Sequence, residues 1–183
     1  AMSASDEFTT TAQPAQGHLI EAAIGTDVYH DVLARLFIAR ADVALAVRSA
    51  SMQVWKALVD NTPRALQAML DPMLRLSVDN LGHHAEERRE MCSRAVGEMV
   101  RKLGDRVVRQ AMPVLSERLK SSDPAMRRGA CLGLREVLDN MTRNMLTEHL
   151  TALLPTIQEA LTDNDDSVRE AAGGVLGSLF KGG

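Results

Sequence analysis

The chain has 183 residues, 45% of them apolar and 25% charged, with only two cysteines and five aromatic side chains. Those proportions exclude wholesale disorder and a disulfide scaffold, and the wealth of alanine, leucine, methionine and arginine excludes an all-β domain. The net charge of −3 is unevenly spread: residues 85–135 carry twelve basic and seven acidic side chains, whereas the flanking stretches are both acidic. No apolar run is long enough to cross a bilayer, no signal sequence opens the chain, and a reduced cytoplasmic setting is expected.

In chain order, residues 1–17 read as a disordered lead-in: Ala1-Met2 resembles an expression scar, and Ser, Thr, Gln and Pro follow. His18 to Ile24 reads as the remnant of a preceding helix. The rest, 18–183, divides into four units at about 26–60, 62–103, 105–140 and 142–181. The first unit opens with a helix from Val28 to Ile38. The second is announced by Thr62-Pro63, an N-cap followed by a first-turn proline, and the third by Gly104-Asp105, a terminal glycine followed by a cap. Asp123-Pro124 repeats the cap-and-proline signal inside the third unit.

The units share a skeleton. Anchor arginines stand at Arg48, Arg89, Arg128 and Arg169, close to 40 residues apart. Three residues after them come Ser51, Cys92, Cys131 and Ala172; at plus six, Val54, Ala95, Leu134 and Val175; at plus ten, Leu58, Met99, Leu138 and Leu179. Those offsets share one side of a 3.6-residue helix, so each arginine opens an amphipathic helix with a buried stripe. Pro72, Pro113 and Pro155 lie inside a preceding apolar helix and are expected to bend it. Asp42, Asp123 and Asp163 put a carboxylate into the turn before three of the anchors, where it can cap the helix while the arginines bridge neighbouring turns. A period of about 40 residues with two helices per unit marks an all-α solenoid, and the kinked first helix with an aspartate–arginine turn marks HEAT repeats. Neither end shows a polar capping repeat, so the chain is expected to be an excerpt of a longer array.

No phosphate-binding glycine loop, nucleophile elbow or zinc motif occurs. His83-His84 with Glu86, Glu87 and Cys92 is the nearest approach to a metal cluster, but the His-Glu dipeptide of HEAT-like hydroxylases is missing, and the histidines are expected in a solvated turn. Cys92 and Cys131 fall on the buried stripe and are expected to be inert, with Trp55 at its edge. The expectation is a chain with no metal, no cofactor and no catalytic residue. Interior glycines, Gly97 and Gly177 at plus eight and Gly129, Gly133, Gly173 and Gly174 beside them, each cost about 1 kcal/mol relative to alanine. They signal either close helix crossings or a shallow groove on the second helices. The arginines of the basic band either pair with Glu86, Glu87, Glu90 and Glu98 or offer a surface to an acidic partner.

Specific strings add to the period. Val54-Trp55-Lys56, Asn61-Thr62-Pro63-Arg64, Val96-Gly97-Glu98-Met99-Val100-Arg101-Lys102-Leu103-Gly104, Gly129-Ala130-Cys131-Leu132-Gly133-Leu134-Arg135-Glu136 and Val168-Arg169-Glu170-Ala171-Ala172 occur in order. Together they resemble the C-terminal HEAT array of the general-control translational activators, over about residues 20–180. The turn at Gly82–Glu90 and the charge at Arg128 depart from that pattern. The resemblance implies a non-catalytic scaffold that binds the RWD domain of the amino-acid-starvation kinase, with ribosome contacts made through the full-length protein, and implies neither a membrane nor a small-molecule ligand. Arg94, Arg101, Lys102, Arg127, Arg128 and Arg135 are the candidate contacts to an acidic partner. A generic peptide-binding HEAT adaptor and a ribosome-contacting segment are the alternatives.

Overall fold

The computed structural model describes residues 16–181, and among them every regular element is an α-helix. The order is α1 (Gln16–Ile24), α2 (Thr26–Ala39), α3 (Leu45–Leu58), α4 (Thr62–Ala68), α5 (Leu70–Leu81), α6 (Glu86–Leu103), α7 (Asp105–Leu119), α8 (Pro124–Asp139), α9 (Arg143–Leu161) and α10 (Asp166–Lys181). None of these helices is long and apolar enough to cross a membrane. The expected lead-in lies outside the described residues except for Gln16 and Gly17, which instead open α1.

The helices pair as α2 with α3, α4–α5 with α6, α7 with α8 and α9 with α10, and the pairs stack into a HEAT solenoid with α2, α5, α7 and α9 in one layer and α6, α8 and α10 in the other, while α3 packs on α1 and α2. The stripe that opens each second helix explains the packing. Ser51, Cys92, Cys131 and Ala172 are all buried, as are Ala95, Leu134 and Val175. The first pair departs from the pattern: Val54 is exposed and Trp55, one position on, is buried in its place. Trp55 packs edge-on against Phe37 at 5.2 Å and donates from its indole N–H to Thr62 Oγ1 at 3.0 Å.

The prolines act differently from one another. Pro113 and Pro155 sit inside continuous helices. Pro72 is associated with a break: the missing N–H and the ring both fall against the carbonyl four residues back, at Ala68, and the helix ends there and restarts at Leu70 after Met69 adopts φ −105°, ψ 18°. Two caps also shift. Asn61, not Thr62, caps α4 by accepting from the Arg64 N–H at 2.9 Å. Gly104, at φ 57°, both ends α6 and precedes α7, so Asp105 is already helical rather than capping. Asp123 caps α8 as expected, accepting from the Ala125 N–H at 2.9 Å.

The hub is α8, which touches α5, α6, α7, α9 and α10. Its entry beside α5 is a backbone crossing. A Cβ on Gly82 would lie 1.9 Å from the Ala125 carbonyl oxygen, and one on Gly129 would lie 2.6 Å from that of Val78. Both neighbours are main chain and cannot swing aside, so glycine is required here for close approach. Gly177, by contrast, faces open space. Gly129→Ala is therefore expected to destabilise the chain by about 2 kcal/mol or more through overpacking. Gly177→Ala is expected to stabilise it by about 0.5–1 kcal/mol through helix propensity. Urea unfolding of the two variants side by side checks both signs.

Candidate functional site

The turns between paired helices sort the candidate cations. Asp42, His83, Ser121 and Asp163 occupy equivalent places. Each accepts from the backbone N–H two residues on, at 2.8, 3.0, 3.1 and 2.9 Å respectively. Six residues after each stands an arginine whose Nη1 donates back to that residue's carbonyl: Arg48 at 2.7 Å, Arg89 at 2.9 Å, Arg127 at 3.0 Å and Arg169 at 2.7 Å. The anchor of the third repeat is thus Arg127 rather than Arg128, and Ser121 takes the place expected for Asp123. The buried stripe is compatible with either arginine, because Ala130 and Cys131 are both in the core; only the guanidinium decides between them.

Arg127 also reaches the next repeat. Its Nε and Nη2 hold Asp163 at 2.8 and 3.0 Å, and Nη2 holds Asn164 Oδ1 at 2.9 Å. The residue is only 9% exposed. Expected at the surface as a partner contact, Arg127 is instead a buried bridge between successive turns, with no donor left for a partner. The bond from Arg127, with the Asp165 N–H, holds the Asp163 carboxyl below its ordinary value of 3.8.

The other five candidates are at or near the surface of the second-helix layer, and they differ in how far their charge is already neutralised. Arg94 is paired with Glu90 one turn before it, Lys102 reaches Glu98 at 3.8 Å, and Arg135 reaches Asp139 at 3.6 Å while lying over Gly174. Glu90 and Glu98 thus do neutralise part of the basic band, whereas Glu86 and Glu87 form no ion pair among the described residues. Arg128 is half-buried on the wall of an open groove of about 370 Å³ between α6 and α8, which Arg89, Arg135, Glu86, Glu90 and Glu136 also line, and has no carboxylate within ion-pair range among the described residues. Arg101 donates to Asn140 Oδ1 at 2.5 Å, a neutral acceptor.

Sequence reasoning missed Asn140, which closes α8, and missed Arg88 and Arg106, exposed cations without an ionic partner among the described residues. A usable signal for Asn140 existed: it follows Arg101 by 39 residues, one repeat. Contacts across first helices have similar separations, with Arg75 on Glu117 at 2.7 Å and Arg118 on Asp79 at 2.5 Å.

The histidines and cysteines nearest to a metal-ligand pattern make other contacts. His83 and His84 stack on each other at 4.1 Å. His83 Nδ1 is occupied as an acceptor in its turn, and its pKa is lowered by desolvation first and then by His84, Arg88 and Arg89. Cys92 and Cys131 are core residues whose thiols burial pushes up to about 12 and about 11. Among the described residues one trio of donors does converge, Asp105, Glu148 and His149, and there Asp105 is engaged by both Arg109 and the His149 ring.

The sequence is similar to those of known proteins. The family model described as "Stalled ribosome sensor GCN1-like, HEAT repeats" matches residues 28–182. The mouse protein "Stalled ribosome sensor GCN1" is 37% identical over 167 residues, which is 91% of this chain and 6% of that protein. "eIF-2-alpha kinase activator GCN1" of Saccharomyces cerevisiae is 32% identical over 157 residues, 85% of this chain and 6% of that protein. "Protein ILITYHIA" of Arabidopsis thaliana is 41% identical over 102 residues, 56% of this chain and 4% of that protein. The chain therefore spans a small fraction of the relatives it matches. Among solved structures, a designed armadillo repeat protein in complex with a (KR)4 peptide overlaps 88% of this chain and 66% of its own, at 16% identity and a TM-score of 0.42.

Because the Asp163 carboxyl is held below its ordinary value when folded, its bridge contributes stability that is present above about pH 4 and lost as pH falls through the lower folded value. Arg127→Met is expected to lower the melting temperature by several degrees at neutral pH and to flatten the acid limb of stability below about pH 4, while Arg128→Met does neither. Thermal melts from pH 2 to 7 check this.

Proposed function

The chain belongs to the family of GCN1-like HEAT repeats, and from that premise we propose that it is a non-catalytic scaffold segment of such a translational activator, one that captures the RWD domain of the amino-acid-starvation kinase and so supports the kinase's activation on ribosomes in the cytoplasm. The observation that carries the reading is the basic ridge along α6 and α8, exposed at Arg94, Arg101, Lys102 and Arg135 and half-buried at Arg128, which shares its groove with Glu86, Glu90 and Glu136. Arg94, Arg101, Lys102, Arg128 and Arg135 stand there on two helices locked side by side, and Arg101 and Arg128 have no carboxylate partner within ion-pair range among the described residues. A basic ridge on a rigid support suits an acidic partner: the charges steer encounter and, once desolvated, make charge-assisted bonds.

The relatives support the role at a coarser level. The yeast and Dictyostelium discoideum proteins are named eIF-2-alpha kinase activators and the mouse and human ones stalled ribosome sensors, none of them by a catalytic activity. The absence of a catalytic role is part of the proposal: elemental analysis of the purified chain is expected to find no stoichiometric metal, and finding one would reopen the hydroxylase reading.

Calorimetric titration of the chain with the isolated RWD domain is expected to give saturable one-to-one binding, weakened by at least about tenfold in Arg101→Glu and progressively by added salt. Binding that survives the reversal would move the interface off the ridge. No binding by the unaltered chain would sink the RWD assignment and leave a generic HEAT adaptor or a ribosome-contacting segment.

A further inference from the structure

The ridge is not uniform, and the difference lies at the C-terminal ends of α6 and α8. On α6, Arg94 is paired with Glu90 and Lys102 with Glu98, so their charges are partly neutralised by their own helix. Arg101 is held by a carboxamide from the next repeat. Asn140 donates its Nδ2 to the Glu136 carbonyl at 2.9 Å, which turns its Oδ1 toward Arg101, where it accepts from Nη1 at 2.5 Å. The space for this contact is Gly97. A Cβ there would meet Asn140 Nδ2 at 3.0 Å and Arg101 Nη1 at 3.1 Å. An interior glycine that loses about 1 kcal/mol of helix propensity thus makes room for polar side chains rather than for a close backbone crossing.

We propose that Gly97 and Asn140 are positioning residues that hold Arg101 as an oriented, un-neutralised cation, and that Arg101 receives a carboxylate of the acidic partner. The inference rests on the RWD-capturing role proposed above, and it names which charge of the ridge carries recognition and what holds that charge. A carboxylate at position 140 would fix the side chain equally well but would quench its charge. A neutral acceptor fixes it and leaves the charge available. One donor of the guanidinium is used by Asn140, which leaves Nε and Nη2 for a bidentate contact. Holding a long side chain in place before binding removes part of the rotamer entropy that a free arginine loses on binding.

The experiment has two arms, both on the full 183-residue chain. In the first, the free chain labelled with 15N is followed at its arginine side chains, and a penta-glutamate peptide is then added. Slowed guanidinium rotation is expected at Arg101, lost in Asn140→Ala and Gly97→Ala, and the peptide is expected to shift Arg101 Nε–H ahead of that of Arg94. A freely rotating Arg101 in the unaltered chain, or a shift led by Arg94, would overturn the proposal whatever the RWD domain does.

In the second arm, the RWD domain is titrated. Asn140→Ala and Gly97→Ala are expected to weaken binding about three- to tenfold through lost preorganisation. Gly97→Ala is expected to do so with helix content unchanged by circular dichroism, because its Cβ meets side chains of Asn140 and Arg101 rather than main chain. Asn140→Asp, which keeps Arg101 ordered, is expected to weaken binding as much as Arg101→Ala, and Arg94→Glu to weaken it less. Unchanged affinity in Asn140→Asp would overturn the proposal. If the unaltered chain fails to bind the RWD domain, the functional reading falls, and the first arm alone decides whether Arg101 is a held and available cation.

Discussion

The array depends on one hydrogen bond made four times: an arginine in the first turn of each second helix donating to the carbonyl six residues before it. That bond satisfies a main-chain acceptor in a turn that has no helical partner for it, and it sets where the second helix begins relative to the first. With that junction repeated at intervals near 40 residues, positions one period apart become neighbours across the stack. The cross-repeat polar contacts follow from this: Arg118 with Asp79, Arg75 with Glu117, Arg127 with Asp163 and Arg101 with Asn140. None of these residues is close to its partner in sequence, and each pair becomes local once the junction is fixed.

Small residues complete the geometry. Ser51, Cys92, Ala130 and Ala172 stand three residues after the turn arginines, where the paired helices converge, and all are buried. Between the second and third repeats the convergence tightens until main chain meets main chain, at Gly82 and Gly129. This is also where α8 contacts helices from three repeats. The first repeat is looser: α3 packs chiefly on α1 and α2, and its Leu45, Val47, Met52 and Val54 remain exposed. The proposed surface therefore lies on the better-braced part of the array, along α6 and α8.

How much of this was legible in the sequence depends on the range of the interaction. The 3.6-residue stripe and the 40-residue period are patterns of residue type, and they led directly to the helix pairs and the HEAT fold. The register of the third repeat was not legible, because Arg127-Arg128 offers two adjacent cations and the stripe tolerates both; the choice rests on a carbonyl and on a carboxylate 36 residues away. Caps slipped by one residue at Asn61 for the same kind of reason, since Thr62 is also a competent acceptor but is engaged by the Trp55 indole. Among the proposed contacts, the count of basic residues and the pairing of Glu90 and Glu98 within α6 were legible, while the acceptor of Arg101 one repeat away was not. Which arginine is free depends on whether a neighbour one turn or one repeat away ends in a carboxylate or a carboxamide.

That last distinction bears on how a solenoid surface recognises a partner. A second-helix ridge is necessarily polar, and the simplest way to keep it soluble is to pair its charges along each helix, as Glu90 does for Arg94 and Glu98 for Lys102. Pairs of that kind are exposed, weak and screened by salt, and they leave little net field for a partner to read. A recognising charge has to escape such pairing without becoming a floppy side chain whose ordering would consume the binding energy. Contact between repeats provides the means, because a residue on one helix can be held by a neutral group on the next. In this chain the pair is Arg101 and Asn140, one repeat apart. The stacking that makes the fold stable thereby also keeps one cation ordered and, among the described residues, unpaired by any carboxylate.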